Sequence, residues 1–165
     1  MARAHRASEE DVEAVAALLA EFHDVEREGR PDDETLRAGV ARLIGGEDAE
    51  FFLAGEPPVG VAEVRYRWSL FSQAEDAYLE DLYVRASHRR QGLGRALLEA
   101  AFERARERGA VRIELGASEG DTDAIAFYEA LAFENRFGGT DGPRALFYAR
   151  WVAEPPPWQA ASTPL

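Results

Sequence analysis

The chain has 165 residues, 46% of them hydrophobic, which is enough to fill one core and predicts a single domain. Its 31 acidic residues outnumber 19 basic ones, all arginine, and the formal net charge of −12 argues against nucleic-acid binding and for cationic partners. The absence of cysteine excludes disulfides, thiolate metal sites and a cysteine nucleophile.

The N-terminus Met1-Ala2-Arg3-Ala4-His5-Arg6 lacks an apolar signal core, and no apolar run is long enough to cross a bilayer. A cytoplasmic protein without membrane association is expected. Residues 3–7 carry a short strand signal. Ser8-Glu9-Glu10-Asp11 has the form of a capping box, and Val12, Val15, Leu18, Leu19 and Phe22 then fall on one helical stripe. Pro31-Asp32-Asp33-Glu34 opens a second helix carrying Leu36, Val40, Leu43 and Ile44, and Gly45-Gly46 stops it. Residues 51–54 and 59–68 read as consecutive strands joined around Pro57-Pro58. Residues 69–76 read as a polar loop and 77–84 as the next strand.

A helix runs from Leu93 to near Arg108, with Gly109 as its C-terminal cap. Residues 111–115 form a strand and 122–131 a short helix. Residues 133–136 and 145–152 are the last strands, with Gly138-Gly139 and Asp141-Gly142-Pro143 in the turn between them. The domain is expected over residues 1–153, and residues 154–165, beginning at Pro155-Pro156-Pro157, form a Pro-rich mobile tail. There is no internal repeat. Strands interleaved with helices and closed by a hairpin give a mixed α/β sheet with helices on both faces.

The segment Arg89-Arg90-Gln91-Gly92-Leu93-Gly94-Arg95 joins a strand to a helix. The first amides of a helix lack intrahelical partners, the helix dipole adds positive charge there, and glycines admit a phosphate to the backbone. From Arg85 to Arg95 there is no acid, while Arg85, His88, Arg89, Arg90 and Arg95 cluster. A polyanion site is the functional reading, and a solvated loop-to-helix junction is the alternative. Neither a Walker motif nor G-x-G-x-x-G is present, since the chain has no lysine and Leu97 follows where a third glycine would stand.

The spacing Arg89-x-x-Gly92-x-Gly94 resembles the coenzyme A signature of the GNAT superfamily of N-acetyltransferases. Residues 121–133, Asp121-Thr122-Asp123-Ala124-Ile125-Ala126-Phe127-Tyr128-Glu129-Ala130-Leu131-Ala132-Phe133, resemble that family's N-x-x-A-x-x-x-Y-x-x-x-G-F segment. Asp121 and Ala132 depart from it, standing where asparagine and glycine are usual. The resemblance implies a GNAT-like mixed, mostly antiparallel twisted sheet with helices on both faces and a splayed parallel strand pair, here residues 77–84 and 111–115. It further implies acetyl-CoA as co-substrate, its pantetheine arm meeting the backbone of Leu82, Tyr83 and Val84. Arg89, Arg90, Gln91, Gly92, Leu93, Gly94 and Arg95 would hold the phosphates, and Asp121 and Tyr128 would lie near the cofactor.

Transfer from a thioester to an amine needs a neutral amine, a stabilised oxyanion and a leaving thiolate that is protonated. By the resemblance, Tyr128 stands near the cofactor sulfur as the acid, and the Val84 amide is an oxyanion donor. A packing tyrosine beside Phe127 is the alternative for Tyr128. Glu80 is the candidate base, on a partly buried strand position. Alternation groups it with Leu82 and Val84, and Asp81 with Tyr83. An exposed or arginine-paired Glu80 is the competing reading. Glu63 is a second carboxylate for the same cleft. Trp68, with Tyr66 and Phe71, would shape an acceptor pocket, although isolated aromatics more often pack in cores. His5, His23 and His88 show no metal-ligand spacing, so no metal is expected.

These readings give direct acetyl transfer in a ternary complex to a small-molecule primary amine. Residues 78–84 resemble the corresponding strand of spermidine/spermine-type acetyltransferases. Residues 88–92 and 120–124 are similar to aminoglycoside 3-N-acetyltransferases. Both acceptor classes are polycations. A protein N-terminal or lysine acceptor, an acyl-CoA-binding sensor or assembly module without transfer, and a homodimeric assembly remain open.

Overall fold

The computed structural model describes residues 2–137 and 141–159. In chain order the elements are β1 (Ala4–Arg6), α1 (Val12–Glu26), α2 (Asp33–Ile44), β2 (Ala49–Ala54), β3 (Gly60–Ser69), β4 (Ala74–Val84), α3 (Leu93–Glu107), β5 (Ile113–Leu115) and α4 (Thr122–Glu129). The described residues up to Leu115, with the segment from Pro155, form one compact unit, and Gly116–Glu154 forms a second.

The first unit is built on a five-stranded sheet in the order β1-β2-β3-β4-β5. The first four strands pair antiparallel, and β5 runs parallel to β4. The expected mixed, mostly antiparallel sheet is therefore present. Ser8 starts the helical layer as the sequence predicts: the Asp11 carboxylate accepts from its amide at 2.8 Å and its hydroxyl at 3.0 Å. Asp32 caps α2 by accepting from the Thr35 amide at 2.8 Å.

Val15, Leu18 and Leu19 of α1 and Val40 of α2 pack with Phe51, Leu53, Val61 and Tyr83 of the sheet. Helix α3 covers the opposite face. A Cβ built on Gly60 would lie 3.2 Å from Cδ1 of Leu97 in α3, so a glycine is needed for that approach. Covered on both faces, β2 is buried along its whole length.

Three expectations are corrected. The predicted polar loop of residues 69–76 shrinks to a tight turn, because the ladder continues through Trp68↔Glu75 and Ser69↔Ala74. The turn leaves Trp68, Leu70 and Phe71 exposed. Strand β5 spans three residues, shorter than residues 111–115, and its pairing with β4 stops at Leu79↔Leu115. In the second unit, the predicted strands 133–136 and 145–152 do not form among the described residues. One bridge, Arg136↔Arg144, is made, with the Ala145 amide donating to Asn135 O at 2.8 Å. Alternating apolar residues make a strand only when a neighbour supplies the ladder, and Leu146, Phe147 and Tyr148 stay exposed. Gly138-Gly139 lie outside the described residues.

On the α3 face, Glu50 of β2 is 5% exposed and gathers the polar groups around it. It accepts from the Tyr66 hydroxyl at 3.1 Å and from Arg104 Nε at 3.0 Å, with Arg6 at 3.2 Å and Arg108 at 3.7 Å. Arg108 also lies 3.9 Å over the Tyr66 ring and pairs with Glu75 at 2.8 Å. Removing this carboxylate leaves three converging guanidiniums without the counterion they share, although Arg108 keeps Glu75 and Arg104 keeps Glu107. Glu50→Ala should lower unfolding stability by about 3 kcal/mol, read as a reduced urea midpoint with an unchanged slope.

Candidate active site

Strand β4 ends at Val84 and leads into the basic turn. The Arg85 amide donates to Val59 O at 3.0 Å, so the polar backbone groups of Arg85 and, by alternation, of Tyr83 face β3. Those of Leu82 and Val84 face the other way, beyond the end of β5 pairing. Of the three residues expected to present backbone to a pantetheine arm, Leu82 and Val84 turn their backbone groups away from β3, whereas those of Tyr83 are taken up by the pairing with β3. The period of two decides this. The Val84 carbonyl already accepts from Arg89 Nε at 3.0 Å. Tyr83 instead sends its hydroxyl to Glu21 at 2.9 Å.

The turn is conformationally constrained. Arg90 has φ 61° and Gly92 has φ 81°, both left-handed. A Cβ on Gly92 would meet nothing nearer than Ala2 Cβ at 3.9 Å, so backbone conformation, not crowding within the fold, selects glycine there. Among the described residues no group accepts from the amides of Gln91, Gly92, Leu93, Gly94 or Arg95. The first turn of α3 carries no acid. Arg85 is committed to Glu21 at 2.8 Å, and Arg95 lies 3.9 Å from Glu99. Arg90 makes no ion pair among the described residues. Free amides, a helix N-terminus and an uncommitted guanidinium form a cradle that suits a phosphate-bearing ligand.

The second feature is a pair of carboxyls on β3 and β4. The register runs Glu63↔Asp81 and then Val64↔Leu79, so Glu80 is the extra residue of a β-bulge. The bulge breaks the alternation expected for Glu80. Its side chain is exposed instead of partly buried. Glu63, across from Asp81, is only 8% exposed. Burial, followed by the charge of Asp81, pushes the Glu63 carboxyl up to about 7; Arg65, donating at 3.3 Å, pulls the other way without restoring an ordinary value. The Asp81 carboxyl is also raised, again first by burial, while His23 draws it down and Glu80 and Glu28 push it up. Among the described residues no group of three or more His, Asp or Glu side chains is placed to hold a metal ion.

Trp68, expected to shape the acceptor pocket, is not brought to this pair. Trp68 shares the parity of Tyr66, whose hydroxyl meets Glu50 on the α3 side. It therefore belongs to the opposite face from Glu63 and lies about 16 Å along the strand. In the second unit, Asp121 is the N-cap of α4, accepting from the Ala124 amide at 2.9 Å. Tyr128 packs edge-on to Phe133 at 5.6 Å and beside Phe127 at 5.5 Å.

The family model described as Acetyltransferase (GNAT) family matches residues 12–133. The chain belongs to this family. Thialysine N-epsilon-acetyltransferase of Caenorhabditis elegans is 32% identical over 120 residues, covering 71% of each chain. Among solved structures, a candidate acetyltransferase of Arthrobacter sp. FB24 aligns with a TM-score of 0.84 at 35% identity, covering 90% of this chain and 95% of the other. An aminoglycoside acetyltransferase from an uncultured soil metagenomic sample aligns with a TM-score of 0.69 at 26% identity, covering 88% of this chain and 99% of the other. No helix among the described residues is long and apolar enough to cross a membrane.

In this GNAT acetyltransferase the sequence did not single out Asp81 as a partner of Glu63 or Glu28 as a neighbour of His23, and His23 was considered only as a metal ligand. The acid-rich run Glu80-Asp81 was visible, but the bulge that turns Asp81 toward Glu63 is a property of the pairing.

Burying Glu63 has a thermodynamic signature. Its folded-state carboxyl is raised from an ordinary 4.5 to about 7, so between these values the unfolded chain has released a proton that the folded chain keeps. Stability therefore falls as pH rises through that window, by about 3 kcal/mol in all. Glu63→Gln should flatten this slope and be the more stable form at pH 8, as read from denaturant unfolding across a pH series.

Proposed function

We propose that this GNAT acetyltransferase uses acetyl-CoA and moves the acetyl group directly to a small cationic primary amine. The observation that carries the proposal is the pairing of Glu63 with Asp81 on the strands that lead into the Arg89–Arg95 turn. One strand pair thus offers a proton acceptor poised near neutrality and an anion cradle at its end.

The residues fit the co-substrate. Gln91, Gly92, Leu93, Gly94 and Arg95 would hold phosphates through their amides, with Arg89 and Arg90 adding charge. Leu82 and Val84 would bond a pantetheine arm as an added strand. When bound, acetyl-CoA supplies the thioester carbonyl that the amine attacks. The Val84 amide faces away from β3 and would steady charge developing on an oxygen there. Glu63 takes the ammonium proton, which frees the nitrogen lone pair. Exposed Glu80, next in sequence to Asp81, draws the cation in. Tyr128 is assigned the donor role toward the leaving sulfur, on its place in the motif. With no cysteine in the chain, an acetyl-cysteine route is absent and transfer is direct.

The relatives support the acceptor class. One is named for thialysine and one for aminoglycosides, and both compounds carry primary amines that are cationic at neutral pH. The acidic surface, at a net charge of −12, favours such acceptors.

The test is product formation from acetyl-CoA across a polyamine, thialysine, an aminoglycoside, a neutral-bodied monoamine and an acidic peptide. Cationic acceptors should lead, and a lead by the acidic peptide would overturn the assignment. For the best acceptor, kcat/KM should rise with pH through about 7, as Glu63 loses its proton. Glu63→Gln should lose that limb. Glu80→Gln should keep the limb but show a weaker salt dependence. Tyr128→Phe should lower kcat by roughly 10²-fold or more with acetyl-CoA affinity kept. Normal turnover in that variant would return Tyr128 to a packing role.

A further inference from the structure

Glu63 is nearly sealed from solvent, and a base that takes one proton per turnover has to release it. Its hydrogen-bond partner, Arg65, cannot accept a proton. The neighbours that can accept one run from β4 to the end of α1. Asp81 stands directly across the ladder from Glu63. The C-terminal part of α1 lies against β4 here, since Phe22 stacks on Tyr83 at 5.4 Å and meets its own neighbour His23 edge-on at 5.6 Å. The His23 Nδ1 atom is buried and has no hydrogen-bond partner among the described residues, yet it lies 3.4 Å from Oε2 of Glu28. Side-chain exposure rises along this series, from 10% at Glu63 to 26% at His23 and 40% at Glu28.

We infer that Asp81, His23 and Glu28 form the proton exit of the active site, carrying the acceptor's proton from Glu63 to solvent. The inference rests on the reading of Glu63 as base. The substrate ammonium gives its proton to the Glu63 carboxylate. That carboxyl passes it to the Asp81 carboxylate, directly or through one water, and Asp81 passes it to a ring nitrogen of His23. The imidazolium releases a proton from Nδ1 to Glu28 or to water, and no electrons change hands. A buried imidazole nitrogen lacking a partner, one short step from a half-exposed carboxylate, suits this release. The proximity of His23 to Asp81 is also expressed in its downward pull on the Asp81 carboxyl.

Other charged groups near the path are Arg65 from β3, which steadies ionised Glu63, Glu80 from β4, which raises its neighbours, and Asp24 of α1, which feels the charge of His23 but is held by Arg30 at 2.8 Å. Glu21 is occupied by Tyr83 and Arg85 and takes no part. His23, Asp81 and Glu28 are positioning and relay residues in this scheme; Glu63 alone touches the acceptor.

The experiment compares wild-type protein with His23→Ala, using the best acceptor and weak, dilute buffer. The variant should lose at least about tenfold in kcat, keep the wild-type KM for acetyl-CoA, and recover most of the loss with added imidazole but not with a non-basic azole of similar size. A folded variant with wild-type kcat in dilute buffer, or a loss that imidazole leaves untouched, overturns the relay. If His23→Ala fails to fold, His23→Gln carries the same comparison. A second readout needs no substrate. By carboxyl-carbon NMR, Asp81 should titrate at higher pH in the variant than in wild type, because the pull of His23 is gone, and an unchanged titration also overturns the proposal. Wild-type protein that acetylates no amine removes the base role of Glu63 itself. Wild-type activity with a Glu63-dependent pH limb and no His23 effect removes only the relay.

Discussion

The ladder between β3 and β4 carries the geometry on which the rest of the first unit depends. Ten residue pairs run from Gly60↔Val84 to Ser69↔Ala74, with one irregularity at Glu63/Val64. Because β4 is held along its whole length on one side, it can afford to be paired for only three residues on the other. That asymmetry leaves Leu82 and the Val84 amide without a strand partner at the end that feeds the arginine–glycine turn, while the Val84 carbonyl accepts from Arg89. An open strand end, free amides at a helix start and a carboxyl pair with one buried member thus share one scaffold. Sites held on strands and helix starts are positioned more precisely than sites on free loops.

Two buried glutamates show how differently the same side chain is treated. Glu50 has Tyr66, Arg104, Arg6 and Arg108 around it, and serves to join β1, β2, β3 and α3. Glu63, on the opposite face, has one half-exposed arginine and a second carboxyl across the ladder. Burial without full compensation raises a carboxyl and costs stability when it ionises. Such a position is a poor structural choice and a good place for proton transfer near neutral pH. The destabilising charge sits on the carboxyl that the proposed acetyl transfer would use as its base.

The family pattern also acquires physical content at its departures. Ala132, where glycine is usual, adopts φ 62°, a conformation that glycine reaches without strain and alanine does not. Asp121, where asparagine is usual, serves as the cap of α4 through its side-chain oxygen, which asparagine supplies equally. Both positions are therefore explained by backbone geometry within the second unit.

The sequence by itself determined the helices, the chain order of the elements as far as α4 and the family resemblance. Helical stripes, the Ser8–Asp11 box, the Asp32 cap and the Gly109 stop are local signals, and local hydrogen bonds and side-chain spacing suffice to express them. The Arg89–Arg95 turn was readable for the same reason, since strand, glycine turn and helix start are contiguous in the chain. The length of the β3–β4 hairpin, the absence of the two terminal strands and the side presented by each backbone group were not readable, because a strand exists only through its partner. The same limit governs the candidate carboxylates. Strict alternation made Glu80 the partly buried base, whereas one inserted residue in the ladder exposed Glu80 and set Asp81 against Glu63. Which carboxyl is buried, which is charged and which imidazole lies within reach are decided by register and by the packing of α1 on the sheet. These are contacts between residues far apart in sequence, and tertiary structure alone brings them together.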